Sequence, residues 1–467
     1  MKRLFGFYSL KLPIYLVYML QQVEYSPGKF IAWVLKYPRL PKVMYRQKLV
    51  YTPKAKLLVA FGYLFWLALL AVVAFAASIN MFFIATVIFL PDALILAYLI
   101  IISLAWFFIE LPNRRRAVSR ASSKFAESKA LRIAILGSYG KTTMKELLST
   151  VLSEGKSVAA TPGNKNIDVS HARWTRTLTG KEDILLIEYG EGQPGDIARL
   201  AKLSKPDIAV VTGLAPNHLD RYKTIDAVRD DLLSIADYVD GGKIYCNKNV
   251  ILPKSSAGFI LFDEKGLSGL QAESIKLGIN GMSFIVKIKG KNVNFTTELV
   301  GRHLIGPLLV CIKIALDSGL SIEQIKSGVA KTKPFPHRLE PIAVGGAWII
   351  DDTYNGSLEG FKAGLALLKE LKAKRKIYVT PGLVDQGVET ENVHREIGRL
   401  VAEAEPNKVV LMKNSVTGFI ASSLKENGFK GELEVRSDPL EFYSNIEHIL
   451  ASGDLVLMQN DWTDNYL

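Results

Sequence analysis

Gly137-Ser138-Tyr139-Gly140-Lys141-Thr142-Thr143 is the stretch on which the reading of this chain turns. The apolar run before it, Ile133-Ala134-Ile135-Leu136, predicts a buried strand, and residues 144–152 predict a helix. A glycine-rich turn between strand and helix points backbone N–H groups and a helix N-terminus at one place, which suits phosphate. Lys141 adds a mobile positive charge for the outer phosphates, and the Thr142 hydroxyl suits Mg²⁺. Gly137, Ser138, Gly140 and Thr143 complete the cradle. The full phosphate-loop pattern asks for a glycine five residues before Gly140, where Ile135 stands, so this is a shortened Gly-x-x-Gly-Lys-Thr loop. An ordinary strand–turn–helix corner would not need a lysine and two threonines at these positions.

Charge is distributed unevenly along the 467 residues. Residues 1–132 hold 18 Lys/Arg against 4 Asp/Glu, and the remainder holds 40 against 41. The basic character belongs to the N-terminal part alone. A nucleic-acid face on the globular part is therefore not expected, because binding a phosphate backbone needs clustered Lys/Arg there. Cys246 and Cys311 are the only cysteines, which excludes a disulfide framework and a zinc-type cluster.

Residues 57–109 are almost wholly apolar, and one membrane crossing needs about 20 residues. Two crossings fit, 57–77 and a second ending near Ile109, with the turn between Ser78 and Asp92. Lys48, Lys54 and Lys56 lie before the run, and Arg114, Arg115, Arg116 and Arg120 lie after it. The positive-inside rule then predicts a two-pass hairpin in the cell membrane, with both ends in the cytoplasm. Residues 1–56 mix aromatic rings (Phe5, Phe7, Tyr8, Tyr15, Tyr18, Phe30, Trp33, Tyr37, Tyr45) with Lys/Arg. That mixture fits a segment at the membrane surface in contact with lipid, although a small helical subdomain fits it as well.

Beyond a basic linker at 111–130, residues 131–336 alternate strand-like and helix-like stretches. Ile184-Leu185-Leu186-Ile187 reads as a strand ending in Glu188, and residues 207–212 as another, followed by Pro216-Asn217-His218. Ligands of parallel sheets bind beyond the carboxyl ends of the strands, so Glu188 and His218 are candidate metal ligands beside the loop. A second α/β unit, 337–467, reads as a small doubly wound, Rossmann-like domain without a glycine fingerprint. The expected fold is α/β: a P-loop-type central ATPase domain and a Rossmann-like C-terminal domain, preceded by a transmembrane helical hairpin over 57–110.

Several motifs come in a fixed order: residues 137–143, Gly163-Asn164-Lys165-Asn166, Glu188 with Gly190, residues 206–212 and Asn217-His218-Leu219-Asp220. Pro336-His337-Arg338-Leu339-Glu340, Asp351-Asp352-Thr353-Tyr354-Asn355 and His394-Arg395-Glu396 follow. In this order and over roughly 131–460 the chain resembles the Mur ligase family, and looks most like its D-alanyl-D-alanine-adding branch. The resemblance implies an ATP-dependent carboxylate–amine ligase that proceeds through an acyl phosphate. It implies that Lys141 stabilises the γ-phosphate, that Thr142, Glu188 and His218 hold Mg²⁺, and that Arg338, Asp352 and Asn355 contact the nucleotide. It places Asn164, Asn166 and His394 near the substrate.

Three departures stand out. Leu232 occupies the position where the family often carries a carbamoylated lysine. Leu304 replaces an adenine-side asparagine, and the membrane segment replaces the uridine-nucleotide-recognition domain. The expected partners are then a small-molecule or lipid-linked wall precursor, an amino acid or dipeptide, and membrane lipid. A poly-γ-glutamate synthase-like ligase and a catalytically degenerate nucleotide-binding scaffold are the alternatives.

Overall fold

The computed structural model describes residues 11–36, 49–79, 90–163, 165–216, 218–252, 258–354, 356–383 and 386–460. The chain divides into two compact units, 1–117 and 118–467.

In the first unit, helices Leu12–Gln22 and Pro27–Lys36 precede two long helices, Pro53–Ile79 and Leu90–Ala105. The second long helix runs through a π-type segment, Trp106–Glu110, into helix Leu111–Glu127. Leu12, Leu16, Leu20 and Phe30 of the short helices share one core with Leu58, Trp66, Leu94 and Tyr98 of the long ones. The Tyr98 hydroxyl donates to the Leu58 carbonyl at 2.9 Å. Lys54 pairs with Glu110 at 2.8 Å, which brings the start of one long helix to the end of the other, as in a hairpin. Leu57, Leu64, Leu67, Val72, Phe75, Leu96, Ile100, Leu104 and Phe108 remain exposed. By length and composition alone, two helices are long and apolar enough to cross a membrane. Phe5, Phe7, Tyr8, Tyr37 and Tyr45, and most of the expected turn after Ser78, lie outside the described residues.

The expected linker at 111–130 is a helix in the structure. From residue 118 on it belongs to the globular unit, where Phe125 is buried and the Lys124 ammonium donates to the carbonyls of Thr175 and Leu178 at 2.7 and 2.8 Å.

The globular unit is built on two mixed sheets. The first contains β1 (Leu131–Leu136), β2 (Val158–Ala160), β3 (Ile184–Glu188), β4 (Ile208–Val211), β5 (Lys243–Asn247), β6 (Phe259–Asp263), β7 (Gly266–Leu267), β8 (Leu270–Gly278), β9 (Gly281–Ile288) and β10 (Lys291–Thr297), in the order β10-β9-β8-β7-β6-β5-β4-β1-β3-β2. From β2 to β6 the neighbours are parallel. Residues 133–136 of β1, 184–187 of β3 and strand β4 read as unbroken apolar runs because such strands are buried on both faces. From β6 to β10 the neighbours are antiparallel, so the expected strand–helix alternation is interrupted by a meander. Strand β9 buries every second residue, Met282, Phe284, Val286 and Ile288, and Phe284 stacks on its cross-strand partner Phe295 with ring centroids 5.6 Å apart.

Helix Lys141–Leu152 follows β1 and buries Met144, Leu147, Leu148, Val151 and Leu152 in the core that it shares with helices Ile305–Asp317 and Ile322–Ala330. After β1 the chain returns to the sheet on one side of it as β2 and then β3, and afterwards on the other side as β4. That reversal opens a crevice at the carboxyl end of β1.

The second sheet contains β11 (Glu340–Val344), β12 (Ala347–Asp352), β13 (Arg375–Thr380), β14 (Lys408–Met412), β15 (Glu432–Arg436) and β16 (Asp454–Gln459), ordered β11-β12-β16-β13-β14-β15. All its pairs are parallel except that of β11 with β12. Val300, from the loop after β10, packs into the core beneath this sheet. Arg302 makes a two-pronged ion pair with Glu370, the last residue of helix Leu358–Glu370.

Candidate active site

The turn after β1 requires its glycines. Gly137 has φ +137°, and a Cβ there would lie 2.4 Å from the Thr212 hydroxyl and 2.9 Å from the Gly213 nitrogen. Gly140 has φ +74° and immediately precedes helix Lys141–Leu152. Both are conformations that side chains other than hydrogen resist. Thr212, at the end of β4, holds the turn by donating to the Tyr139 carbonyl, and Asn249 donates to the Tyr139 hydroxyl at 2.6 Å. Burial, and secondarily the charge of Glu359, raise the Tyr139 phenol pKa.

Two lysines one helical turn apart meet two glutamates. Lys141 pairs with Glu191 at 2.7 Å and also donates to the Gly137 carbonyl. Lys145, which is fully buried, lies 3.1 Å from Glu188 and donates to the Gly163 carbonyl. The Thr142 hydroxyl donates to the same Glu188 carboxylate at 3.1 Å, and the Asn166 amide donates to its other oxygen at 3.3 Å. Gly190 makes this last contact possible, since a Cβ there would lie 2.6 Å from the Asn166 amide oxygen. From below, Thr161 accepts from the Glu188 backbone N–H at 3.1 Å.

His171 holds the same strand end through its ring. Its Nε2 donates to the Glu188 carbonyl at 2.9 Å, and its Nδ1 has no hydrogen-bond partner among the described residues. Burial pushes its pKa down to about 4, against an ordinary 6.5. The unfolded imidazole therefore takes up a proton as pH falls below about 6.5, and the native one does so only near 4. Stability is lost across that window. Between pH 7 and pH 5 the loss from this residue is expected to be about 2 kcal/mol, and a His171→Gln variant should show a flatter dependence of urea midpoint on pH.

The expected residues divide into several groups. Gly137, Ser138, Gly140, Lys141, Thr142, Thr143, Asn166 and Glu188 gather at the carboxyl ends of β1 and β3. His218 begins the short helix Leu219–Tyr222 in a left-handed conformation with an exposed side chain. Among the described residues no hydrogen bond or ion pair ties its ring to Glu188 or Thr142. Arg338 lies over the Tyr354 ring at 4.7 Å. Asp352 accepts from Gln459 at 2.8 Å, and burial raises its pKa to about 6. His394 is fully buried, and both its nitrogens are spent on backbone, accepting from the Leu383 N–H at 2.9 Å and donating to the Thr390 carbonyl. It therefore braces residues 381–383 and presents no free nitrogen to a substrate. Asn164 and Asn355 lie outside the described residues. Leu232 is fully buried and offers no oxygen.

Lys145, Glu191 and His171 are absent from the sequence-based set. Lys145 did leave a signal. It falls on the stripe with Met144, Leu148 and Leu152 that faces the core, where an unpaired lysine would be costly.

The Mur ligase middle domain matches residues 135–315, and the Mur ligase glutamate ligase domain matches 337–459, together well over half of the chain. The chain belongs to the Mur ligase family. UDP-N-acetylmuramoyl-tripeptide–D-alanyl-D-alanine ligase of Borreliella burgdorferi is 27% identical over 260 residues, 54% of this chain and 55% of that protein. The enzyme of the same name from Escherichia coli is 26% identical over 288 residues, 60% of this chain and 63% of that one. The chain thus matches less than two thirds of the length of these two ligases. Among solved structures, MurF ligase from Thermotoga maritima in complex with ADP has a TM-score of 0.64 at 21% identity, covering 74% of this chain and 80% of that one. This likeness shows a shared fold over about three quarters of the chain.

Proposed function

We propose that this chain is an ATP-dependent amide ligase that joins an amino acid or short peptide to a cell-wall precursor at the cytoplasmic face of the membrane. The observation that carries this reading is the convergence of Lys141, Thr142 and Glu188 at the carboxyl ends of β1 and β3, on a Mur ligase fold. Lys141 and the N-terminus of helix Lys141–Leu152 would bind the triphosphate. The substrate carboxylate attacks the γ-phosphorus, ADP leaves, and an acyl phosphate forms. The amine then adds to the acyl carbon, inorganic phosphate leaves, and the amide remains. The hard oxygens of Thr142 and Glu188 fit Mg²⁺, with His218 as a further ligand by resemblance. When bound, the ion would supply charge neutralisation for the phosphates.

The amine that the named relatives suggest is D-alanyl-D-alanine, and the acid is a muramoyl tripeptide. The two long apolar helices favour a membrane-proximal form of that acid. The test is ADP release by the full chain in detergent micelles, with ATP, D-alanyl-D-alanine and either soluble UDP-muramoyl tripeptide or its lipid-linked counterpart. Release with the lipid-linked acid and not with the soluble one is the expected result. No release with any acceptor, despite tight nucleotide binding, would instead favour a degenerate scaffold, the reading that buried Leu232 suggests.

Two further expectations follow from this reading. A topology reporter fused after Arg120 should score as cytoplasmic, because Lys54 and Lys56 precede the apolar run 57–109 and Arg114, Arg115 and Arg116 follow it. An extracytoplasmic score would refute the two-pass arrangement. Arg338→Ala should weaken binding of a non-hydrolysable ATP analogue about tenfold while membrane insertion is unchanged, since an arginine–phosphate contact is charge-assisted. Small-angle scattering should also show compaction on adding the analogue, as expected if the C-terminal domain closes over it.

A further inference from the structure

The two glutamates at the end of β3 differ in what holds them. Among the described residues the Glu188 side chain has three partners, Lys145, Thr142 and Asn166, none of which is Lys141. Among the described residues Glu191 has a single charged partner, Lys141, which engages its Oε2. Its Oε1 has no hydrogen bond among the described residues. Its side chain is nevertheless only 3% exposed.

Glu191 also has little freedom to withdraw, because the loop that carries it is tied down on every side. The Asp196 carboxylate accepts from the backbone N–H groups of Gly192 and Gln193, both at 3.1 Å. Asp231 accepts from the Gly195 N–H at 2.8 Å and from the Tyr222 hydroxyl at 2.8 Å. The same Tyr222 hydroxyl lies 3.0 Å from the Gln193 carbonyl, so its one proton is shared between the two acceptors, and Arg221 donates to the Gly192 carbonyl at 3.2 Å.

A triphosphate at the turn 137–140 would draw Lys141 onto its outer phosphate. Glu191 would then lose its counter-charge while an anion arrived within the reach of the same lysine. A fixed, shielded carboxylate next to a phosphate is repulsive unless a cation bridges the two. An amine nucleophile does not meet that need, because it must be uncharged to attack. A divalent cation does, since it accepts oxygens from carboxylate and phosphate together. We infer that Glu191 exchanges Lys141 for a divalent metal ion when the triphosphate binds, and so forms a metal site separate from the pair Thr142 and Glu188.

This inference rests on the nucleotide-binding reading above, and its test distinguishes the two. Mn²⁺ is titrated by electron paramagnetic resonance into the full chain in detergent micelles saturated with a non-hydrolysable ATP analogue. The wild-type chain should bind one more Mn²⁺ than Glu191→Gln, while Glu191→Asp, which keeps the charge, should retain the extra ion with weaker affinity. Without metal, Glu191→Gln should bind the analogue about tenfold more tightly than wild type, because the competitor for Lys141 is gone, and Mg²⁺ should remove that advantage. Equal Mn²⁺ counts would overturn the inference, as would an advantage that persists unchanged in Mg²⁺. A raised KM for the amine with an unchanged metal count would assign Glu191 to the amine instead. Failure of the wild-type chain to bind the analogue at all would overturn the nucleotide-binding reading itself.

Discussion

Lys141→Ala is expected to lower turnover by about 10²–10³-fold, the usual cost of removing one charge-stabilising contact in such a transition state. Loss of the lysine has a second consequence, because it leaves the shielded Glu191 carboxylate without a counter-ion. The single variant should therefore be less stable as well as slower. The double variant Lys141→Ala/Glu191→Gln separates the two effects, because it removes the stranded charge and should recover the urea midpoint while turnover stays low. Recovery of turnover together with stability would mean that the lysine acts only through folding. Near-normal turnover in Lys141→Ala would place the phosphate site elsewhere.

Lys145→Ala is expected to have the largest effect on stability. Its ammonium is fully buried against a Glu188 carboxylate that is 2% exposed. Removing one partner of such a pair typically costs about 3–5 kcal/mol, since the charge left behind can neither be solvated nor move away. Thr142 and Asn166 can donate hydrogen bonds to Glu188 but cannot neutralise it. The measurement is chemical denaturation followed by a probe in the globular unit. Lys145→Met/Glu188→Gln, which is neutral and similar in volume, should recover most of the loss. A Lys145→Ala variant within about 0.5 kcal/mol of wild type, the range of an ordinary surface substitution, would show that the pair does not form in solution.

What the sequence made legible follows from the distance over which each feature is encoded. The turn 137–143, the strand ending in Glu188 and the strands β1 and β4 beside it depend on neighbouring residues, and continuous apolar runs reveal them. The meander of β7 to β10 does not announce itself in this way. Its pattern has period two, and it extends a sheet whose other strands are buried on both faces. Edge strand β15 leaves Leu433 and Val435 exposed and so carries no core signature. Lys141, Thr142 and Glu188 were readable because their types and spacing announce phosphate and metal chemistry. Glu191 was not, because only folding brings it to Lys141. Asn249 supports Tyr139 from 110 residues away, and local spacing cannot show such a contact. His394 was legible as a residue type but not as a role, because nothing in a linear motif reports that both its nitrogens face the chain's own backbone.

The fit between Gly190 and Asn166 bears on how this site can drift over evolutionary time. The amide occupies the volume that a methyl group at 190 would need, so the two positions are not free to vary independently. A lineage that gains a side chain at 190 must first shorten or lose the asparagine, and Glu188 then gives up one of its three partners. Gly190→Ala alone should therefore be purged where Gly190→Ala with Asn166→Gly survives. A deep pairwise mutational scan would record this as strong positive epistasis between two residues that belong to different strand-end loops.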